Sequence, residues 1–205
     1  MACRGRATPI PGGRTRTRPR ANTSTWAACH GPAPVVTPIG RGPAFELGTG
    51  ARADRGAPIA GLRCERVAGG WRDAHVEVFA RGRVLLLPPG IGVARPRQAA
   101  GAAIRRGRCS YPVRTTDPTG VVRYRPGRGL ALGDLFAVWG QPLGRHRVCG
   151  FRSSAVVRVY VGGRRVAGAP GAVPLRRHAE IVVEIGPYVP PHRAYVFAGG
   201  EAATA

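Results

Sequence analysis

The distribution of apolar residues constrains the fold most strongly. Beyond Pro58 these residues come in short runs that alternate with polar side chains and end at glycine or proline. Residues 76–79 place two valines on one face of a strand and a glutamate and a phenylalanine on the other, as the two-residue period of a strand requires. Arg81-Gly82 then supplies a turn, and residues 83–87 return as a second strand. This pattern predicts a β-hairpin.

Further segments of the same kind follow along the chain. Alternation or strand-length apolar runs predict strands over residues 113–115, 120–124, 156–161, 164–167 and 179–185. Residues 95–108 consist mainly of arginine, glycine and alanine, and they predict a loop. One helix is predicted over residues 132–139, where Leu132, Leu135, Phe136 and Trp139 form a single apolar stripe. We therefore expect a mostly all-β fold, a small β-sandwich or barrel-like domain built from hairpins with one short helix.

The apolar pattern also predicts the domain organisation. Residues 1–57 are rich in arginine, proline and glycine and lack hydrophobic periodicity, so we expect a disordered leader there. Residues 58–197 form the β-rich domain, and residues 198–205 form a disordered tail. The leader has a basic start but no apolar run of the length that a secretory signal needs, so no signal peptide is readable. The leader is either a genuine basic tail or the product of a start codon assigned too far upstream. No apolar run approaches the length of a transmembrane helix.

The charge of the chain favours binding to nucleic acid or another polyanion. The formal net charge is +22, and all 32 basic residues are arginine, with no lysine. Arginine, glycine, proline and alanine have G/C-rich codons, so a G/C-rich bacterial gene explains part of this basicity. We expect weak, salt-dependent binding to polyanions through Arg-rich loops at residues 95–108 and 123–128. A salt titration of DNA binding distinguishes non-specific attraction to the positive charge from binding at a dedicated site. A steep salt dependence that is the same for all sequences, with weak affinity, indicates non-specific attraction. The motifs of dedicated RNA and DNA readers are absent.

Several phrases together resemble an uncharacterised family of exported actinobacterial proteins that are rich in histidine. They are residues 58–64 (PIAGLRC), 75–78 (HVEV), 89–93 (PGIGV), 109–120 (CSYPVRTTDPTG), 132–143 (LGDLFAVWGQPL) and 174–186 (PLRRHAEIVVEIG). The resemblance covers most of residues 58–197 and none of the leader. It implies an extracytoplasmic or cell-surface domain behind a signal or lipoprotein anchor.

The resemblance also implies a disulfide between Cys64 and Cys109, because both positions carry cysteine in the family pattern. Both residues flank strands that we expect in one sheet layer, and the alternative is two buried free thiols. Of the five cysteines, we expect Cys149 to be unpaired. No Cys-x-x-Cys pair is present, which excludes zinc-ribbon and thioredoxin-like sites.

The chain departs from the family pattern mainly by losing histidines. Non-histidine residues stand at five positions that are histidine in the family, and these residues are Trp71, Asp73, Arg114, Thr116 and Arg123. Arg125 replaces a glutamate. The remnants of a metal site are His75 and His178, with Asp117 as a third candidate ligand. A structural zinc site takes four protein ligands, and guanidiniums repel a cation, so we expect no metal site.

No catalytic constellation is readable. There is no G-x-S-x-G phrase, none of the ten carboxylates suggests an acid–base pair, and no phosphate loop precedes a helix. We therefore expect a non-enzymatic, monomeric, extracytoplasmic binding domain with an unknown ligand, no cofactor and a degraded His site. Two alternatives stay open: a basic protein that binds nucleic acid or another polyanion, and a protein that has retained metal binding.

Overall fold

A computed structural model describes residues 45–66 and 69–197 of the chain. It contains two α-helices, α1 (Ala51–Asp54) and α2 (Leu132–Trp139), and a 3₁₀ turn at Pro170–Ala172. The strands are β1 (Phe45–Glu46), β2 (Arg72–Ala80), β3 (Arg83–Leu86), β4 (Arg97–Ala100), β5 (Ala103–Gly107), β6 (Val113–Thr115), β7 (Val121–Tyr124), β8 (Leu143–Gly144), β9 (Arg147–Val148), β10 (Phe151–Arg152), β11 (Arg158–Val161), β12 (Arg164–Val166) and β13 (Glu180–Ile185). The expected β-rich fold with one short amphipathic helix is confirmed.

The main sheet has eight strands, and two of its central strands carry the candidate site. Its principal order is β1-β3-β2-β13-β11-β12, and β7 pairs with β2 and with β6. Strands β2 and β13 run parallel, with His75 opposite Glu180. The β2–β3 and β11–β12 hairpins are present as expected. Within the described residues the sheet does not close into a barrel, so the barrel-like option is not realised.

One face of the main sheet forms the principal core. Val76 and Val78 of β2 and Ile181 and Val183 of β13 are buried there, at 0–1% exposure. These positions alternate along each strand, as the sequence pattern predicts. Helix α2 packs into the same core through its apolar stripe, and it ends at Gly140, whose φ of 74° allows the left-handed backbone that often follows a helix.

The opposite face of β2 and β13 carries polar as well as apolar side chains. Phe79, Val182 and Tyr160 form a small second core on this face together with Val189. His75, Glu77, Glu180 and Glu184 are the buried polar members of the same rows. The segment after β13, which reaches residue 197, supplies the side chains that lie against this face. It is therefore the sheet face and the C-terminal segment together that enclose the candidate site.

The ordered fold begins before Pro58, so the leader boundary predicted from the sequence is wrong for residues 45–57. Helix α1 buries Ala53, and the indole Nε1 of Trp139 donates a 3.0 Å hydrogen bond to the carbonyl of Gly48. The Asp54 carboxylate pairs with Arg95 at 3.0 Å and also with Arg97. A four-residue helix is too short to produce a readable period, which explains the missed boundary. Residues 1–44 and 198–205 lie outside the described residues.

Residues 95–108 form the hairpin β4–β5, so the expected loop is wrong as well. The two strands pair only with each other in the described part of the chain, and most of their side chains are exposed. Because neither face of this ribbon is buried, its sequence has no apolar alternation to read. The short sheet β8–β9–β10 went unpredicted for a similar reason, since each of its strands has two residues.

The expected disulfide and the expected free thiol are both confirmed. Cys64 and Cys109 are bonded, with 5.4 Å between their Cα atoms. Cys149 is a buried free cysteine, and burial raises the pKa of its thiol to about 12. Among the described residues, no helix has the length and hydrophobicity to span a membrane.

Candidate metal centre

The candidate site is a group of four side chains, which we call the His–Glu cluster: His75, Glu77, Glu180 and His192. Strand β2 presents His75 and Glu77 on one face, and the parallel register brings Glu180 of β13 beside His75. These three residues are buried at 1%, 8% and 1% exposure. His192 arrives from the C-terminal segment. Charged side chains are almost never this deeply buried unless they are paired, so the cluster needs a chemical explanation.

His75 is held at both ring nitrogens. Its Nε2 lies 2.9 Å from the carbonyl oxygen of Thr119, and its Nδ1 lies 2.7 Å from Oε2 of Glu180. A carbonyl oxygen only accepts hydrogen bonds, so Nε2 carries a hydrogen. One further proton must then lie between Nδ1 and the Glu180 carboxylate, on one group or the other. Nδ1 and the carboxylate thus face each other across one shared proton, and a cation can take the place of that proton.

The carboxylate of Glu180 is only partly satisfied. Burial raises its pKa, and the hydrogen bond from His75 opposes that rise. Its second oxygen, Oε1, is buried and has no hydrogen-bond partner among the described residues. A buried carboxylate oxygen without a partner is costly, which points to a missing donor or cation.

Glu77 is bound by the fourth member of the cluster. Nδ1 of His192 lies 2.8 Å from both carboxylate oxygens of Glu77. The charges of Glu77 and His192 both act on Glu180, with opposite effects on its pKa. The four side chains therefore behave as one electrostatic unit.

Aromatic rings cover the cluster. The Tyr195 ring stacks on His75, with 3.8 Å between the ring centroids and 11° between the planes. Phe197 packs edge-on against Tyr195, with 4.9 Å between centroids. Burial raises the pKa of the Tyr195 hydroxyl, which hydrogen-bonds to the Thr119 side chain. Apolar rings above a polar cluster exclude water and strengthen the electrostatic interactions beneath them.

The cluster offers a set of donors that suits a metal ion. One ligand atom each from His75, Glu77 and Glu180 can be chosen so that all three lie within 4.8 Å of one another. Imidazole nitrogen with carboxylate oxygen is a donor set that zinc and related transition metals accept. These three residues would hold the ion, and His192 would orient Glu77 from outside the first coordination shell.

No family model, curated protein or solved structure matches the chain. The resemblance to the exported histidine-rich family consequently stays an expectation from the sequence. The function must be argued from the cluster and its surroundings.

The structure brings only one of the three sequence-derived candidates into the cluster, namely His75. The His178 ring stacks on Phe197 instead, with 4.6 Å between centroids. The Asp117 carboxylate accepts hydrogen bonds from the backbone N–H and the hydroxyl of Thr119, so it caps the turn whose carbonyl accepts a hydrogen bond from Nε2 of His75. Asp117 therefore supports the site indirectly.

The two arginines that were expected to repel a cation have other partners. Arg123 pairs with Asp73 at 3.2 Å, and the guanidinium of Arg114 lies 4.0 Å from the centroid of the Trp71 ring. Burial lowers the pKa of Arg114 to about 10. Both guanidiniums are thus engaged with groups outside the His–Glu cluster, and the electrostatic objection to a metal weakens.

Sequence reasoning missed Glu77, Glu180 and His192. A usable signal existed for the glutamates, because both stand within otherwise apolar strand segments, HVEVF and AEIVVEI. A carboxylate within such an apolar run is expected to be buried with its neighbours. A buried carboxylate is costly unless it has a hydrogen-bond or ion-pair partner, so each of these glutamates predicts one. His192 carries no comparable signal, since it lies in the proline-rich segment after β13.

Gly120 allows the turn to approach His75, and its replacement tests that contact. A Cβ at this position would lie 2.8 Å from Nε2 of His75 and 2.8 Å from the backbone carbonyl oxygen of Val76, and the backbone φ is +83°. Gly82 is a matched control, because its φ is +74° and a Cβ there meets nothing within 4 Å. We expect Gly120→Ala to lower the free energy of unfolding by about 2 kcal/mol more than Gly82→Ala does. Urea unfolding measures both, and equal losses would show that His75 is not crowded by the turn.

Proposed function

We propose that this chain is a non-catalytic, extracytoplasmic binding domain whose His–Glu cluster holds a divalent transition-metal ion, with zinc as the best fit. The observation that carries the proposal is the convergence of three donors from His75, Glu77 and Glu180 in a buried place where one carboxylate oxygen has no partner. The sequence alone favoured an unknown ligand and a lost metal site. The two buried glutamates, Glu77 and Glu180, supply ligand atoms beside His75 and therefore favour a metal site.

Charge compensation supports the proposal. Two buried carboxylates carry two negative charges when they are ionised, and taking such charges out of water is costly unless opposite charge is supplied. A divalent cation would neutralise both and would satisfy the open oxygen of Glu180. His75 and Glu180 need to move little, because zinc bonds of about 2.0–2.2 Å place neighbouring ligand atoms about 3.4 Å apart, against 2.7 Å now between Nδ1 of His75 and Oε2 of Glu180.

The surroundings of the ligands support the same ion. A histidine that binds a metal through one ring nitrogen usually donates its other N–H to a carbonyl or carboxylate, which fixes the orientation of the ring. His75 already donates its Nε2 hydrogen to the Thr119 carbonyl and leaves Nδ1 for the ion. His192 stands behind Glu77 in the equivalent supporting role.

A structural role fits the burial of this site better than a catalytic one, and the unpartnered Oε1 of Glu180 would supply the fourth donor that structural zinc takes. Catalytic zinc keeps a coordination position open to substrate. The proposed ligands are at most 8% exposed, and Tyr195 is stacked over His75. The ion would tie β2 to β13 and, through His192, to the C-terminal segment. Metal binding would thereby contribute directly to the folding free energy.

The Cys64–Cys109 disulfide supports the extracytoplasmic part of the proposal. Disulfides persist in oxidising compartments and are rare in reducing cytosol. The family resemblance noted from the sequence favours the same compartment.

A thermal melt tests metal binding. Zinc added to the metal-stripped protein should raise the melting temperature, because a ligand at 100 times its Kd adds about 2.7 kcal/mol to the free energy of unfolding. Magnesium at the same concentration should leave the melting temperature unchanged, since it prefers six oxygen ligands. An unchanged melting temperature up to millimolar zinc would contradict the proposal.

Polyanion binding is retained as a second proposal, supported by the exposed Arg105 and Arg106 on strand β5. Each phosphate contact that is lost should reduce the slope of log K against log salt by about 0.9 for duplex DNA. We expect the double variant Arg105→Glu/Arg106→Glu to show a shallower slope. An unchanged slope would mean that this hairpin does not touch the polyanion.

A further inference from the structure

A cleft lies apart from the His–Glu cluster and takes no part in the proposed metal site. Its volume is about 890 Å³, and it opens to solvent. Pockets for small molecules typically measure about 300–1,000 Å³. The walls come from β8, from residues 156–157 before β11, and from residues 165–172, which run from β12 through the 3₁₀ turn.

The cleft exists because one wall has almost no side chains to fill it. Residues 166–172 read VAGAPGA, so the chain turns around the opening with glycine, alanine and proline. Apolar side chains line the remaining surface, with Leu143, Val156 and Val157 among them. A concave apolar surface of this size favours the burial of a hydrocarbon chain or ring.

Two arginines add a specific polar element to this apolar cleft. Arg145 and Arg165 both line it, and both are exposed. Among the described residues neither guanidinium has a hydrogen-bond or ion-pair partner. Arg158, by contrast, is paired with the carboxylate of Glu184 at 3.1 Å. Guanidinium groups bind carboxylates through two parallel hydrogen bonds when the geometry allows.

We infer that this cleft binds a small amphipathic carboxylate, with its apolar chain against the valines and its carboxylate at Arg145 and Arg165. The ligand class follows from charge complementarity combined with the apolar walls. A cationic amphiphile would meet two like charges, and a small carboxylate without an apolar chain would leave the walls unused. This inference is independent of the metal site, so either can fail without the other.

The test uses dodecanoate as the probe and the full-length protein, with isothermal titration calorimetry below the micelle-forming concentration. We expect one dodecanoate per chain. Dodecyltrimethylammonium, which has the same chain and the opposite charge, should bind at least tenfold more weakly, and so should acetate. Equal binding of the cationic amphiphile or of acetate would overturn the inference.

Three variants locate the site. Arg145→Glu/Arg165→Glu should weaken dodecanoate binding at least tenfold, whereas the matched charge reversal Arg105→Glu/Arg106→Glu on the β4–β5 hairpin should change it by less than twofold. Gly144→Phe should block the cleft, because a Cβ at Gly144 meets nothing within 4 Å and the backbone there is not left-handed. A melting temperature within a few degrees of the parent shows that each variant folds. Equal losses in the two charge-reversed variants, or full binding in a folded Gly144→Phe variant, would refute the site.

Discussion

Replacing Cys64 and Cys109 with serine is expected to lower the free energy of unfolding by about 4 kcal/mol. The disulfide joins residues 45 positions apart, and closing a loop of that length in the unfolded chain removes entropy worth about this much at 25 °C. The bridge also attaches the segment that ends at Glu65 to the segment around Cys109. Glu65 and Ser110 follow the two cysteines in the chain, and they pair with each other through their backbones. Guanidinium unfolding of the parent and the double variant measures the difference.

The matched control is the same unfolding experiment with a reducing agent. Reduction should destabilise the parent to the level of the Cys64→Ser/Cys109→Ser variant and should leave that variant unchanged. Cys149 is free and buried in both proteins, so it does not distinguish them. A loss below about 1 kcal/mol would show that the unfolded chain gains little freedom when the bridge is absent.

Substitution of the proposed ligands is expected to weaken zinc binding by at least a hundredfold. His75→Ala removes the nitrogen donor, and Glu180→Gln removes a charged oxygen donor with little change in shape. His192→Ala removes only the group that supports Glu77, and loss of such a supporting partner typically costs about 10–100-fold in metal affinity. Competition with a chromophoric chelator at neutral pH measures the three affinities.

His178→Ala is the control for this series. It removes an imidazole that the sequence analysis named as a remnant ligand candidate and that the structure places against Phe197. Its zinc affinity should stay within a factor of about two of the parent. A loss equal to that of His75→Ala would favour the remnant set of His75, His178 and Asp117, the alternative left open from the sequence, over the His–Glu cluster.

Most of the fold could be predicted from the sequence. Seven of the eight strands of the main sheet and helix α2 overlap their predicted positions, because most of them bury one face and therefore show a readable period. The eighth strand, β1, falls in the segment predicted to be a disordered leader. The β4–β5 hairpin and residues 45–57 could not be recognised, because an exposed ribbon and a four-residue helix show no such period. The parallel pairing of β2 with β13 was also not readable, since it joins strands about one hundred residues apart.

That pairing explains why the candidate site was only half predictable. His75 could be recognised from the sequence, but its nearest partner is Glu180, at a separation of 105 residues. The register of two strands from opposite ends of the domain decides which side chains meet, and a shift of one residue would turn Glu180 to the other face. The position of His192 depends in addition on how the C-terminal segment lies over the sheet.

Equilibrium dialysis against zinc tests the central claim most directly. The full-length, tag-free protein should carry Cys3→Ser and Cys29→Ser, so that these two thiols cannot bind the metal. At neutral pH we predict one zinc ion per chain at micromolar or tighter affinity. The further substitutions His75→Ala/Glu180→Gln should abolish this binding while the chain stays folded by circular dichroism. Binding weaker than millimolar, or stoichiometric binding that persists in the folded His75→Ala/Glu180→Gln protein, would contradict a metal centre at the His–Glu cluster.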